Sequence, residues 1–283
     1  MSIDHMNDLA EQIRTLTLEG DAPWIRTWDA GAGNGALRSN GEPFTGGNNP
    51  WLCMVAAGRG YGSRTWFTSR QAREAGHPLR WNEAEGRHAT VLRPAFRKDR
   101  ENPTDLVLVG FNAYRVYNGD LCDGWQDPAR EVREIPEPDA AAQAIVDVWG
   151  GTRHQGDRAF YAPSQDSVTV PPRDAFHSLA DYVGTVAHEK SHQSGHRTRL
   201  ARPGITNHGA FGDHLYAAEE LVAESSAAFI LGRLGLSCET LRSNNAAYLR
   251  SWLKRFASDP KVLIHAMGQG MKAAEYTLKA AGL

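Results

Sequence analysis

Residues 186–197, VAHEKSHQSGHR, carry His188, Glu189 and His192 in the order H-E-x-x-H, and that order commits the segment to one backbone geometry. On an α-helix, side chains four residues apart leave the same face one turn apart, so two imidazoles converge on one ion. The flanking sequence supplies the helix. In FHSLADYVGTVAHEKSHQSG the residues Leu179, Tyr182, Val183 and Val186 form one apolar stripe, and Gly195 ends it. Glu189 stands beside the two imidazoles, placed to take a proton from an activated water. The bland alternative is a surface helix that happens to carry polar residues.

A catalytic zinc takes three protein ligands and keeps one position open, so a third ligand is required. The longer pattern H-E-x-x-H-x-x-G-x-x-H is followed as far as Gly195, but its last histidine would fall where this chain has Thr198. His196 follows the glycine that ends the helix, so the pattern does not set its direction. Downstream, in YAAEELVAE, Glu220 and Glu224 lie four apart on one helical face, while Glu219 points about 100° away. Such a pair lets one carboxylate bind metal while the next accepts the N–H of a ligand imidazole and fixes its tautomer. Against this stands a solvated helix face, since EELVAE is also ordinary helix composition. His214 and Tyr216 are candidate oxyanion donors on the same segment. His154, His177, His208 and His265 have no spacing partners and read as structural.

The remainder is organised in two parts. Met6, Leu9, Ile13 and Leu16 predict an opening amphipathic helix that stops at Gly20. After a Gly- and Asn-rich stretch, PWLCMVAA predicts a short helix capped by Asn49, and TSRQAREAG another, capped by Thr68 and closed by Gly76. RHATVLRPAF and TDLVLVGFNAYRVYN are rich in β-branched and aromatic residues and are expected to pair as antiparallel strands. Pro128, Pro136 and Pro138 mark a polar boundary, which gives domains at 1–130 and 131–283. Beyond it, PDAAAQAIVDVWG predicts a helix, and RAFYAP with DSVTVPP a hairpin. HLYAAEELVAESSAAFILGRLG, NNAAYLRSWLKRF and KVLIHAMGQGMKAAEYTLKAA predict further helices. The fold class expected is α+β, a mixed first domain followed by a mainly helical one with a small antiparallel sheet.

Composition narrows the setting. No run of about 18 apolar residues occurs, and the opening residues lack a basic patch followed by an apolar core, so neither a membrane nor export is expected. Cys53, Cys122 and Cys238 are odd in number and include no CxxC pair, which argues against a disulfide framework and points to a reducing cytoplasm. The net charge of −2 conceals an asymmetry: from Arg59 to Arg100 ten Lys or Arg face four acids, a balance of +6 against −8 elsewhere. That window intersperses arginines with Tyr61, Trp66, Phe67, Trp81 and Phe96, the residue types that hold single-stranded DNA, although Trp and Phe are more often core residues.

HEKSH followed by the E-x-x-x-E of Glu220 and Glu224 resembles the gluzincin pattern of thermolysin-type peptidases. That resemblance implies that Glu220 is the third ligand beside His188 and His192, that Glu224 supports a ligand imidazole, and that Glu189 is the catalytic base. The ion implied is Zn2+, with another divalent metal such as Mn2+ as the alternative. A wider resemblance covers nearly the whole chain. FYAPSQDSVTVPPRDAF, HEKSHQSGHRTRL, YAAEELVAESSAAF and YLRSWLKRF are similar to the C-terminal domain of ArdC-type antirestriction proteins. APWIRTW, GGNNPWL, TWFTSRQAREAG and FNAYRVYNGD are similar to their N-terminal single-stranded DNA-binding domain. The resemblance implies a zincin-like metallopeptidase domain joined to a single-stranded DNA-binding domain, with Arg64, Trp66, Arg70, Arg73 and Trp81 as DNA contacts. It implies a protein that protects incoming mobile-element DNA from host restriction, acting on a protein or peptide substrate, with an extended substrate expected to pair along the DSVTV strand. Two rivals keep the fold: a DNA-binding shield whose metal is purely structural, and a DNA-dependent protease acting on DNA-bound proteins.

Overall fold

The computed structural model describes residues 7–13, 15, 35–98, 102, 106–128, 137–150, 152–206, 213–236 and 260–283. The predicted helix at NNAAYLRSWLKRF and the glycine expected to end the first helix lie outside these residues. Within them the chain is α+β, as its pattern requires. Residues 7–13 are helical, with Leu9 and Ile13 buried on one face. Then follow β1 (Leu37–Arg38), α1 (Asn48–Arg59), β2 (Thr65–Phe67), α2 (Ser69–Glu74), α3 (Trp81–Ala84), β3 (Ala89–Lys98) and β4 (Leu106–Asn118). The second part contains α4 (Pro138–Asp147), β5 (Thr152–His154), β6 (Phe160–Ala162), β7 (Ser167–Val170), α5 (Leu179–Ser194), α6 (Pro203–Thr206), α7 (Asp213–Arg233) and α8 (Pro260–Ala280).

The first sheet has the order β1-β2-β4-β3. Strands β3 and β4 form the expected antiparallel pair from Ala89↔Val116 to Lys98↔Leu106, with a bulge between Ala95 and Phe96. The second sheet has the order β5-β7-β6. β6 and β7 make the predicted hairpin, but β5 adds in parallel to the other side of β7, so this sheet is mixed. Its consequence is a correction. DSVTV lies on the central strand with both edges paired, and the outer edges of the sheet belong to β5 and β6.

Asn49 does not cap α1. Gly47 stands at that position, and the two asparagines of GGNNP are used as backbone mimics instead. Asn48 gives its Nδ2 to Leu92 O (2.7 Å) and accepts from Leu92 N (2.9 Å), joining α1 to β3 as a ladder pair would. Asn49 accepts from Ala36 N and donates to Phe44 O, holding the loop before α1. Thr68 does cap α2, in a capping box with Gln71.

One apolar cluster draws on both sides of residue 130: Leu9, Ile13, Trp51, Val55, Trp66 and Val91 pack with Leu221, Val222, Leu263 and Met267. The backbones touch where α8 meets the start of α1. A Cβ on Gly268 would lie 2.5 Å from Gly47 N, so only glycine fits. A second cluster, with Ile145, Val146, Val168, Val170, Val183, Val186 and Ile230, sits beneath the small sheet and carries α5. No helix among the described residues is long and apolar enough to cross a membrane.

Candidate metal centre

Helix α5 is capped by Ser178, whose side chain accepts from Asp181 N, and none of its five residues from 188 to 192 faces open solvent. The spacer letters of HEKSH fix the rotation of the helix. Lys190 is fully buried and donates its Nζ to Val148 O (2.7 Å) and Gly150 O (3.2 Å), closing the turn that follows α4. Burial pushes its ammonium down to about 8. Ser191 Oγ meets Ser226 Oγ of α7 at 2.7 Å, so two small residues bring the helices close. With those two faces held, the remaining stripe of α5 aims His188 and His192 at α7.

The three predicted donors converge. His188 Nε2 and His192 Nε2 are 3.2 Å apart, His192 Nε2 is 3.5 Å from Glu220 Oε1, and His188 Nε2 is 3.6 Å from Glu220 Oε2. Ligand atoms at 2.0–2.1 Å from a shared tetrahedral ion stand about 3.3 Å from one another, so this triangle fits a metal of zinc-like size. Among the described residues these three form the group of donor atoms close enough to share an ion. Burial works to lower the His188 pKa, but the carboxylates of Glu220, Glu224 and Glu189 overcome it and hold the imidazole up to about 9. Burial likewise works to raise the Glu220 carboxyl, and the two histidines outweigh it, leaving it below the usual range.

Both imidazoles turn their other nitrogen to a carboxylate. His188 Nδ1 faces Glu224 Oε1 at 3.5 Å, the partner expected from the sequence. His192 Nδ1 hydrogen-bonds Glu219 Oε1 at 3.3 Å, which the sequence reading placed on another face. Helices α5 and α7 run antiparallel here, with His188 beside Glu224 and His192 beside Glu219. The histidine pair therefore straddles the α7 surface, and a carboxylate about 100° from Glu220 meets the outer edge of the second ring.

Glu219 is buried, and its charge is matched by Arg202. That guanidinium, also buried, sends Nη2 to Glu219 Oε1 (2.6 Å) and Nε to Oε2 (3.0 Å), and continues to Ser194 Oγ (2.7 Å) and Ser191 O (2.6 Å) on α5. Burial acts to raise the Glu219 carboxyl, and the hydrogen bonds from His192 and Arg202 overcome it. Arg202 reaches this place because Gly195 leaves room: a Cβ there would stand 2.8 Å from its Nη2. Gly195 thus has a second role beyond ending the helix. No spacing rule links Arg202 to Glu219; the signal available was only a cation seven residues past the helix end.

Glu189 lies on the same helix without joining the donor triangle. It is buried, burial pushes its carboxyl above the usual range, and the Tyr161 backbone N–H of β6 hydrogen-bonds it. Tyr216, one turn before Glu220 on α7, hydrogen-bonds Glu220 with its side chain. His196 turns aside, with Nδ1 2.9 Å from Thr198 Oγ1 and 4.0 Å from Asp166 Oδ2. His154 bonds the Tyr182 hydroxyl, a structural contact.

The residues nominated as DNA contacts fare unequally. Trp66 is 1% exposed, packed in the core beside Tyr61, and so, contrary to the role expected from the resemblance, offers no face to a base. Trp81 is 56% exposed and stands edge-on to Tyr117. Arg70 and Arg73 are exposed on α2, Arg70 paired with Glu74. Arg64 is half-buried, its backbone N–H bound to Asp127.

A helix bearing two imidazoles and a buried glutamate, joined by a carboxylate from the next long helix over a small sheet, defines a zincin-like domain. The chain matches the zincin-like metallopeptidase family over residues 140–269, and the N-terminal domain of anti-restriction factor ArdC over residues 4–117. The chain belongs to the ArdC antirestriction family. It is similar to the crystal structures of the antirestriction ArdC protein from plasmid R388. They are 31% identical, with 98% of this chain and 97% of that one aligned, at TM-scores of 0.69 for the metal-free and 0.71 for the Mn(II)-bound form. Among curated proteins it is 30% identical over 95% of its length to the DNA primase TraC of Escherichia coli. It is 29% identical over 84% to the uncharacterized protein y4eC of Sinorhizobium fredii. The chain spans 19% of that primase and 78% of y4eC.

Proposed function

We propose that this protein is a DNA-binding metallopeptidase: its first 130 residues bind single-stranded DNA, its second part hydrolyses peptide bonds, and together they protect incoming mobile-element DNA from restriction in the cytoplasm of a new host. The observation that carries the peptidase reading is Glu189. A structural metal closes its site with four protein ligands and needs no neighbouring base, whereas here three donors converge and a buried carboxylate stands beside them.

His188, His192 and Glu220 would hold the ion, zinc on the donor chemistry, and a divalent ion there supplies Lewis-acid polarisation of a scissile carbonyl and acidifies water. The protein's own groups do the rest. Glu189 takes the proton of the attacking water and returns it to the departing amine; a carboxyl raised by burial suits both steps. Glu219 and Glu224 hold the imidazoles in the tautomer that leaves Nε2 free to ligate. Strand β6 offers its open edge to an extended peptide, next to Glu189 through Tyr161. Membership of the antirestriction family and the Mn(II)-bound form of the R388 protein support the DNA role and a divalent ion.

Glu189→Gln tests the reading directly, because the residue is not a ligand. Metal content should match the wild type, while protection of transferred DNA and cleavage of a bound protein should fall by at least about 100-fold, as loss of a general base requires. Full protection with metal retained would establish the DNA-shield reading instead. Cleavage of a bystander protein switched on by single-stranded DNA would identify a DNA-dependent protease.

A further inference from the structure

Strands β3 and β4 leave the body of the protein past Leu92. Leu92 itself is buried, but farther along the ribbon Phe96, Leu106, Val109, Phe111 and Tyr114 are 41–66% exposed. Soluble proteins rarely leave a contiguous apolar surface uncovered unless something is meant to lie on it. Strand alternation sorts these residues. Pro94 pairs with Phe111 and Phe96 with Leu108, Val109 being the extra residue of the bulge, so Pro94 and Phe96 on one strand share a face with Phe111 on the other. Arg93 and Arg97 fall on the opposite face, Arg93 across from Asn112.

Charge identifies the occupant. The two strands, ATVLRPAFRK and LVLVGFNAYRVYN, carry Arg93, Arg97, Lys98 and Arg115 and no acidic residue. A positive ribbon selects a polyanion, and paired exposed rings select one whose units present flat faces. A single strand of nucleic acid satisfies both demands, whereas a duplex keeps its base faces stacked inside. We propose that single-stranded DNA lies along the outer β3–β4 ribbon, its bases stacked on Phe96 and Phe111 and its phosphates met by Lys98, which shares their face. This rests on the single-strand-binding role proposed above and gives it a location that replaces the buried Trp66.

The test is fluorescence anisotropy of the full-length, metal-loaded protein with a labelled oligothymidylate of about 15 nucleotides, which spans one site of this kind. Stacking needs a flat ring, not just apolar bulk. F96L/F111L should bind at least about tenfold more weakly, while F96W/F111W stays within about threefold of wild type. Lys98→Gln should reduce the log–log salt slope by about 0.7, the value for one phosphate, and the phenylalanine variants should leave it unchanged. Because these side chains are exposed, all variants should melt with the wild type.

If the wild type fails to bind the oligonucleotide, the DNA-binding role falls and the ribbon site with it. If the wild type binds and F96L/F111L binds equally well, the ribbon is overturned while DNA binding stands. Equal displacement by duplex competitor refutes stacking. A change in sedimenting mass for F96L/F111L at unaltered DNA affinity would make the face a contact between copies of this chain, and overturn the proposal.

Discussion

Replacing Glu219 by glutamine separates what holds the metal from what holds the fold. The change preserves shape and removes a buried charge that serves two partners, Arg202 through contacts of 2.6 and 3.0 Å and His192 through one of 3.3 Å. An amide offers one acceptor oxygen, so either Arg202 or the imidazole loses its partner. Removing one member of a buried ion pair costs about 3–5 kcal/mol, because the other charge stays desolvated. At about 2–4 °C per kcal/mol for a protein of this size, the metal-free form should melt roughly 6–20 °C lower. Loss of the acceptor behind a ligand imidazole should weaken metal binding by about 10–100-fold. Melting in excess chelator measures the first effect, and metal titration against a chromophoric chelator the second. The variant Arg202→Met/Glu219→Leu decouples them. Removing both charges leaves no unpaired buried charge, so most of the stability should return, while metal affinity stays low because His192 still lacks its acceptor. The reasoning is refuted if the double variant regains metal affinity, or if Glu219→Gln melts within about 2 °C of wild type.

Other consequences of the geometry are open to measurement. Glu220→Ala should abolish stoichiometric metal binding, whereas Glu224→Gln should retain it at about 10–100-fold lower affinity, both read by metal analysis after dialysis. Lys190→Met keeps the aliphatic stem but orphans Val148 O and Gly150 O; a loss of about 1–3 kcal/mol in denaturant unfolding is expected. Gly268→Ala drives a Cβ against the backbone of Gly47, and should cost about 1–3 kcal/mol or block folding, visible in soluble yield and melting. Asp127 accepts from Arg64 N, Ser63 Oγ, Thr65 Oγ1 and Trp125 Nε1; burial acts to raise its carboxyl, and these donors outweigh it and hold it below the ordinary 3.8. Its stabilisation is therefore complete above pH 4 and lost as pH falls through the depressed folded value, and Asp127→Asn should flatten that acid limb in melts between about pH 2 and pH 5.

Much of the site was legible because its central pair is local. His188 and His192 are one helical turn apart, and a helix carries that distance from the sequence into space without help from the rest of the fold. Glu220 and Glu224 are legible for the same reason, as a second pair on a second helix. Glu219 was set aside because spacing within one helix describes one stripe, while the contact that matters comes from the antiparallel approach of α7 to α5. Trp66 was misjudged on a related ground. A tryptophan among arginines reads alike whether it faces a core or a nucleic acid, and only the place of β2, paired beside β4 with Trp66 in the core cluster, decides which. Phe96 lies inside the positively charged window and Phe111 eleven residues beyond its end at Arg100, and the β3–β4 register brings them to one face.

Sequence alone determined the elements with strong periodicity and the two histidines with Glu189 beside them, and the resemblance it carries pointed to Glu220 as the third donor. The elements and the histidine pair follow from interactions within one helix or one strand, whose geometry repeats at a fixed interval. Tertiary structure alone decided that Arg202 neutralises Glu219 behind His192, that Lys190 and Ser191 set the roll of α5, that β6 and not β7 has an open edge, and that Trp66 is core. Those depend on which surfaces meet when separate elements pack, and the match of a charge or a ring to a partner far along the chain leaves no period to read.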